Sequence, residues 1–189
     1  LAVNSTRMFS VDATDPESVS QGIVEGSLQV LELLSVMQKH LPGFENCRLS
    51  AVSPMLGVRE SRHFIGRRRL TGDAVRASLV DGDTIALGAY NIDVHAGRGV
   101  GIRLDPIEKP YGIPLGALVP AKLEGLLLSG RTIDADAQAF GSCRVMGTCM
   151  AIGEVAGVCA ALAVSQGKAP SQCAPESVRS ELARRGAIC

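Results

Sequence analysis

Apolar residues at Val19, Ile23, Val30, Leu34, Met37 and Leu41 recur at helical spacing, and Asp15-Pro16-Glu17 just before them offers a cap and a first-turn proline. The pattern predicts an amphipathic helix over 16–40, stopped by Pro42-Gly43. A short strand is expected at 6–11, and extended chain at 47–70. A short helix capped by Thr71 is expected at 71–80. Strands follow at 84–89 and 91–95, then a Gly- and Pro-rich loop over 97–110, extended chain at 113–119 and a buried strand at 126–129. After a polar loop comes a glycine-punctuated helix at 146–166. A last helix at 175–185 starts on Pro175 and ends before Gly186. Strands and helices do not alternate regularly, so a complete doubly wound domain is not expected.

Composition narrows the class. Hydrophobic residues make up 46% and charged residues 20%, which is globular and not disordered. Aromatics reach only 3% and Trp is absent, so the core must be aliphatic, with many special turns among the 21 glycines. A formal net charge of zero argues against a dedicated nucleic-acid binder. Six cysteines form no CxxC pair and no zinc-finger spacing with His, so no metal site and a reduced, cytoplasmic protein are expected. The first residues, LAVNSTRMFS, lack signal-peptide features. The missing initiator Met reads as a trimmed chain or an internal fragment. The apolar run 146–164 is long enough to suggest a membrane span, but Glu154 in its middle and its glycines favour a buried helix.

Four constellations offer chemistry. Gly153, Gly157 and Ala161 lie four apart on one helix face, suited either to tight helix–sheet packing or to close approach of a ligand. Ser142, Gly147 and Thr148 add caps and open positions at the start of that helix, where a positive dipole end meets anions. In Gly57–Arg69, GVRESRHFIGRRR, arginines fit either anion recognition or a solvated edge, and Arg67, Arg68 and Arg69 are assigned to the edge. Arg59 and Arg62 stay open between the two. Asp93 and His95 share a strand face, so carboxylate and imidazole could act together in proton transfer, against the commoner structural role of an isolated His. Cys149, in the helix's first turn, is read as a packing or backbone-contact residue ahead of a reactive thiol.

These residues carry a family likeness. N-S-T-R at Asn4, V-D-A-T-D-P at Val11, P-G-F-E-N at Pro42, G-V-R-E-S-R at Gly57, I-D-V-H at Ile92 and Y-G-I-P at Tyr111 form its first part. L-L-L-S-G-R at Leu126, G-S-C-R-V-M-G-T-C-M at Gly141 and G-E-V-A-G at Gly153 complete it. From Asn4 to Ala187 the chain resembles the carboxyl-terminal half of a bacterial family of FAD-dependent oxidoreductases, which carry a substrate domain inserted into a FAD-binding fold. The last block is also similar to the fumarate reductase and succinate dehydrogenase flavoproteins.

The resemblance implies an α/β fold: part of a Rossmann-like FAD-binding domain at 120–189 and part of the substrate domain at 1–119. The amino-terminal βαβ dinucleotide unit would be lacking. It implies hydride transfer between an organic substrate and FAD, with Arg144 facing substrate or flavin. Ser142, Gly147, Thr148 and Cys149 would lie near the flavin ring, and Gly130 and Arg131 near its ribityl chain. Arg59, Arg62, Asp93 and His95 would line the opposite wall, with His95, Asp93 and Arg144 as the catalytic set. Leu115-Gly116 and Ala137 depart from positions where the pattern often has Tyr-Arg and His. The expected partners are a small-molecule substrate and the missing FAD-binding half, with neither nucleic acid nor membrane. The rival expectation is a non-catalytic chain that associates with itself, as a homo-oligomer, or with that half.

Overall fold

The computed structural model describes residues 1–95 and 102–189. The loop reading of 97–101 lies outside the described residues. The chain forms two compact units, Leu1–Ser61 and Arg62–Cys189.

The first unit is one long helix with extended chain laid along it. Helix α1 spans Pro16–His40, and the Asp15 carboxylate accepts from the N–H groups of Glu17 and Ser18. Its two buried residues are Gly22 and Gly26, while the apolar stripe stays half-buried or exposed. The reason is close approach. A Cβ on Gly22 would lie 2.9 Å from Leu56 Cδ1 and 3.0 Å from Val11, and one on Gly26 would lie 3.0 Å from Met8 Sδ. Residues 6–11 therefore form no strand. The Gln29 amide holds them instead, accepting from Arg7 N at 3.0 Å and donating to Arg7 O at 3.1 Å.

The second unit holds the aliphatic core. Helix α2 (Gly72–Arg76) is capped by Thr71 Oγ1, which accepts from Ala74 N. Strands β1 (Thr84–Gly88) and β2 (Ile92–His95) are followed by β3 (Ile102–Asp105), inside the segment expected to be loop, and by β4 (Tyr111–Pro114). β1 pairs antiparallel with β4, and β2 with β3. Residues 115–117 tighten into a 3-10 turn instead of extending the strand. The apolar run 126–129 is not a strand: Leu128 alone is deeply buried there, its N–H donating to Leu118 O. Leu126 is 40% exposed.

Segment 65–72 threads between two others. Gly66, Arg67, Arg68 and Leu70 donate to Asp134 Oδ2, Val119 O, Gly116 O and Asp134 O. The arginine triplet does not sit on a free edge. Arg67 pairs with Glu124, Arg68 with Asp81 and Asp83, and Arg69 with the buried Asp134.

The polar loop expected before the long helix contains α3 (Ala137–Cys143), with Asp136 accepting from Gln138 N and Ala139 N. Helix α4 spans Met146–Ser165 and α5 Pro175–Arg184. Ile152, Val155, Val158, Cys159 and Ala163 of α4 face a core that includes Val178 and Leu182 of α5. The opposite face, with Met146, Met150 and Val164, is exposed. By length and composition α4 is apolar enough to cross a membrane, and 33% of its most apolar window is buried. The described residues thus make a mixed α/β protein with small antiparallel sheets.

Candidate functional site

The site is assembled where β2 meets the α3–α4 junction. Gly141 permits that meeting, since a Cβ there would lie 2.8 Å from the backbone oxygen of Asp93. Arg144, the residue that ends α3, then reaches back across the contact. Its Nη2 donates to Asp93 O at 2.8 Å and lies 3.6 Å from Asp93 Oδ2. The two side chains are 13% and 16% exposed. The guanidinium carbon sits 5.9 Å from the Phe140 ring centroid, one helical turn earlier. His63 packs at a right angle to the same ring, with centroids 4.6 Å apart, and His63 Nδ1 is 3.2 Å from Ile133 O. Two residues expected to act as separate tools are thus one ion pair. His95 ends the same strand, and its side chain lies outside the described residues.

Ser142 is fully buried, and its hydroxyl joins Tyr111 Oη at 2.7 Å and the carbonyl of Tyr90. That hydroxyl ties α3 to β4 and to the link between β1 and β2. Burial raises the Tyr111 phenol far above its usual value.

Helix α4 opens without a side-chain cap, because its N-cap residue is Val145. The first backbone bond of the helix runs from Cys149 N to Val145 O. The first-turn N–H groups of Met146, Gly147 and Thr148 therefore have no acceptor within the helix. Met146 and Gly147 are exposed, and nothing lies within 4 Å of a Cβ built on Gly147. Thr148 turns its side chain into the protein, at 6% exposure.

Beside this helix runs the 3-10 turn Gly130–Thr132, entered through Gly130 at φ +60°. Glycine is favoured at that angle, and the space around it is open. The turn packs on α4 through Ser129, whose Oγ lies 3.6 Å from a Cβ on Gly153. A Cβ at Gly153 would make only an ordinary van der Waals contact, so this packing does not require a glycine. Gly157 and Ala161 look outward.

Cys149 is half-buried, with its thiol 3.4 Å from Arg144 O and 3.7 Å from Cys143 O. Desolvation raises it above the ordinary thiol range, while the nearby Arg131 cation pulls the other way. Helix position alone does not activate it. Arg131 itself is exposed, Arg59 belongs to the first unit, and the exposed Arg62 opens the second. No group of three or more His, Cys, Asp or Glu suited to a metal ion occurs among the described residues.

Sequence reasoning missed Phe140, the ring that carries both Arg144 and His63. The signal was there: Asp136 stands before Ala-Gln-Ala-Phe, and Phe140 precedes Arg144 by one helical turn.

The described residues thus define a mixed α/β protein in which an uncapped helix end lies beside an open glycine turn. The family comparison is more specific. Residues 2–182 match the FAD dependent oxidoreductase family, and the chain belongs to it. FAD is the cofactor of that family. No curated protein and no solved structure gives a match.

Proposed function

We propose that this chain supplies the flavin-facing helix and the substrate wall of an enzyme that transfers a hydride between an organic substrate and FAD. One observation carries the reading: in a chain of this family, α4 presents uncapped first-turn N–H groups at Gly147 and Thr148 beside the open turn at Gly130. These donors suit FAD, whose ring has an electron-rich edge. Bound there, FAD would supply the two-electron chemistry.

The chain's own residues bind and orient. Gly147 and Thr148 offer backbone donors, with Cys149 closing that turn through its own N–H to Val145 O, and Gly130 and Arg131 would flank the cofactor's chain. The Ser142 hydroxyl fixes α3 behind them. Arg144 orients Asp93, and the guanidinium donors not directed at Asp93 would hold an anionic substrate group. Asp93 and His95 share proton transfer on the wall formed by β2, with Arg62 as a further cation.

Residues 1–119 would serve the substrate and 120–189 the flavin. No βαβ dinucleotide unit occurs among the described residues, and a firmly held FAD would need one to anchor its pyrophosphate. Exposed Glu154, midway along α4, favours a water-facing helix over a membrane span.

The test is visible flavin absorbance after the purified chain is mixed with FAD and repurified. Retained colour is the outcome that supports the reading, and Gly147→Asp should then abolish it while keeping the thermal midpoint. A first-turn carboxylate favours the helix but repels an electron-rich ring. A colourless wild-type chain would overturn the reading for this polypeptide. It would favour the rival, a chain that only associates, for which the exposed Met146, Met150 and Val164 speak. Light scattering after size exclusion would then show a homo-oligomer.

A further inference from the structure

The far end of α4 holds a feature that flavin chemistry does not use. Cys159 is fully buried on the core face of the helix, and Cys173 is 8% exposed, just after the turn Pro170–Gln172. Cys173 Sγ donates to Cys159 O at 3.6 Å and Cys159 Sγ to Pro170 O at 3.8 Å, so the two cysteines are direct neighbours at the end of the helix. Two of the other thiols are directed elsewhere. Cys149 is directed at the carbonyls of Cys143 and Arg144, and Cys189 at Arg179 O.

We propose that Cys159 and Cys173 are a disulfide-forming pair, which when oxidised ties the carboxyl end of α4 to the chain entering α5. The step is thiol–disulfide exchange with a small disulfide oxidant such as oxidised glutathione. One thiolate attacks the oxidant's S–S bond, forming a mixed disulfide and releasing one glutathione thiol. The second cysteine displaces the other glutathione, completing the Cys159–Cys173 bond. Two protein S–H bonds are lost, and the oxidant takes up both electrons and both protons.

Burial governs when this happens. Desolvation pushes the Cys159 thiol up to about 12, so the reactive thiolate is scarce in the folded protein. The bond therefore forms during folding, before the core closes. Once made, it is shielded from reductants by the same burial. It closes a short loop and limits the unfolded chain.

The test is to unfold and reduce the full chain, refold it with oxidised and reduced glutathione, and alkylate the remaining thiols in denaturant. Expected are a mass two hydrogen atoms below the reduced, alkylation-corrected value and one linked peptide joining Cys159 to Cys173. The thermal midpoint should rise by roughly 5–10 °C over the reduced form. Cys173→Ser should lose the link, and Cys47→Ser, in the other unit, should keep it. Native reduced chain exposed to the same buffer should cross-link far more slowly. Six alkylated cysteines after refolding, or another pair dominating, would overturn the assignment.

Discussion

In the amino-terminal unit the residues withdrawn furthest from solvent are glycines, Gly22 and Gly26. In the second unit they are Tyr111, Phe140, Ile113, Ile133 and their neighbours. The first unit is held by chain lying against a helix backbone, with Met8, Val11 and Leu56 touching the glycines and the Gln29 amide clamping Arg7. The second is held by close-packed aliphatic and aromatic side chains. One set of contacts ends in flexible side-chain tips that can yield, and the other includes backbone that cannot. The proposed site depends on the second kind, since Asp93 and Arg144 meet only because α3 rests on β2 at Gly141.

The comparison breaks most severely at Phe140. Its ring is fully buried and carries both the His63 edge and the Arg144 guanidinium. Phe140→Ala should cost about 3–5 kcal/mol, the range for emptying an aromatic site in a core. Equilibrium urea unfolding would read this as a large fall in midpoint at unchanged slope. A loss under about 1 kcal/mol would mean that the core collapses onto the vacancy and that the second unit is as yielding as the first.

The same substitution made in both units sharpens the contrast. Gly141→Ala drives a methyl group to 2.8 Å from Asp93 O and 3.1 Å from Asp93 C, so α3 must move off β2. Overpacking of this kind costs about 1–3 kcal/mol. It should also loosen the Arg144–Asp93 pair. Gly26→Ala meets only Met8, at 3.0 Å from Sδ and 3.2 Å from Cε, and a thioether readily changes rotamer. There the gain in helix propensity, up to about 1 kcal/mol, should win and stabilise the unit. Thermal melts of the two variants beside wild type would decide the matter. Equal destabilisation in both would erase the distinction.

Sequence pattern was most reliable where the cause of structure is local. Asp15-Pro16 starts α1 and Pro175 starts α5, and Gly186 follows α5 at φ +84°, because caps and turns act within a few residues. It failed where the cause is distant. The run at Leu126 looks like a strand, yet only Leu128 finds burial and a backbone partner at Leu118. Residues 6–11 look extended, but their partner is a glycine groove on a helix and not another strand. β3 was hidden among glycines and prolines until its antiparallel partner β2 was seen. In the site, Asp93 and Arg144 were each singled out, but their pairing was not legible. It depends on α3, which spacing alone read as a polar loop.

The smallest expected effect lies on the surface of the second unit, at α5. Glu181 sits in the last turn, where a carboxylate meets the negative end of the helix dipole and is poorly placed. Arg184 reaches it with Nε at 2.9 Å and Nη2 at 2.8 Å, and Arg185 adds Nε at 2.9 Å. Their hydrogen bonds, Arg184 first, draw the carboxyl from its ordinary 4.5 down to about 2. A carboxyl lowered on folding stabilises the protein above its unfolded value, and that contribution is lost as pH falls through the folded value. The window thus runs from about 4.5 down to about 2. Thermal midpoints of wild type across that window should fall slightly more than those of Glu181→Gln, which has no proton to take up. High salt should narrow the gap, as expected for an exposed pair. Parallel curves for the two proteins would show that this end of α5 is held by Val178 and Leu182 in the core alone, and that its surface charges contribute nothing to folding.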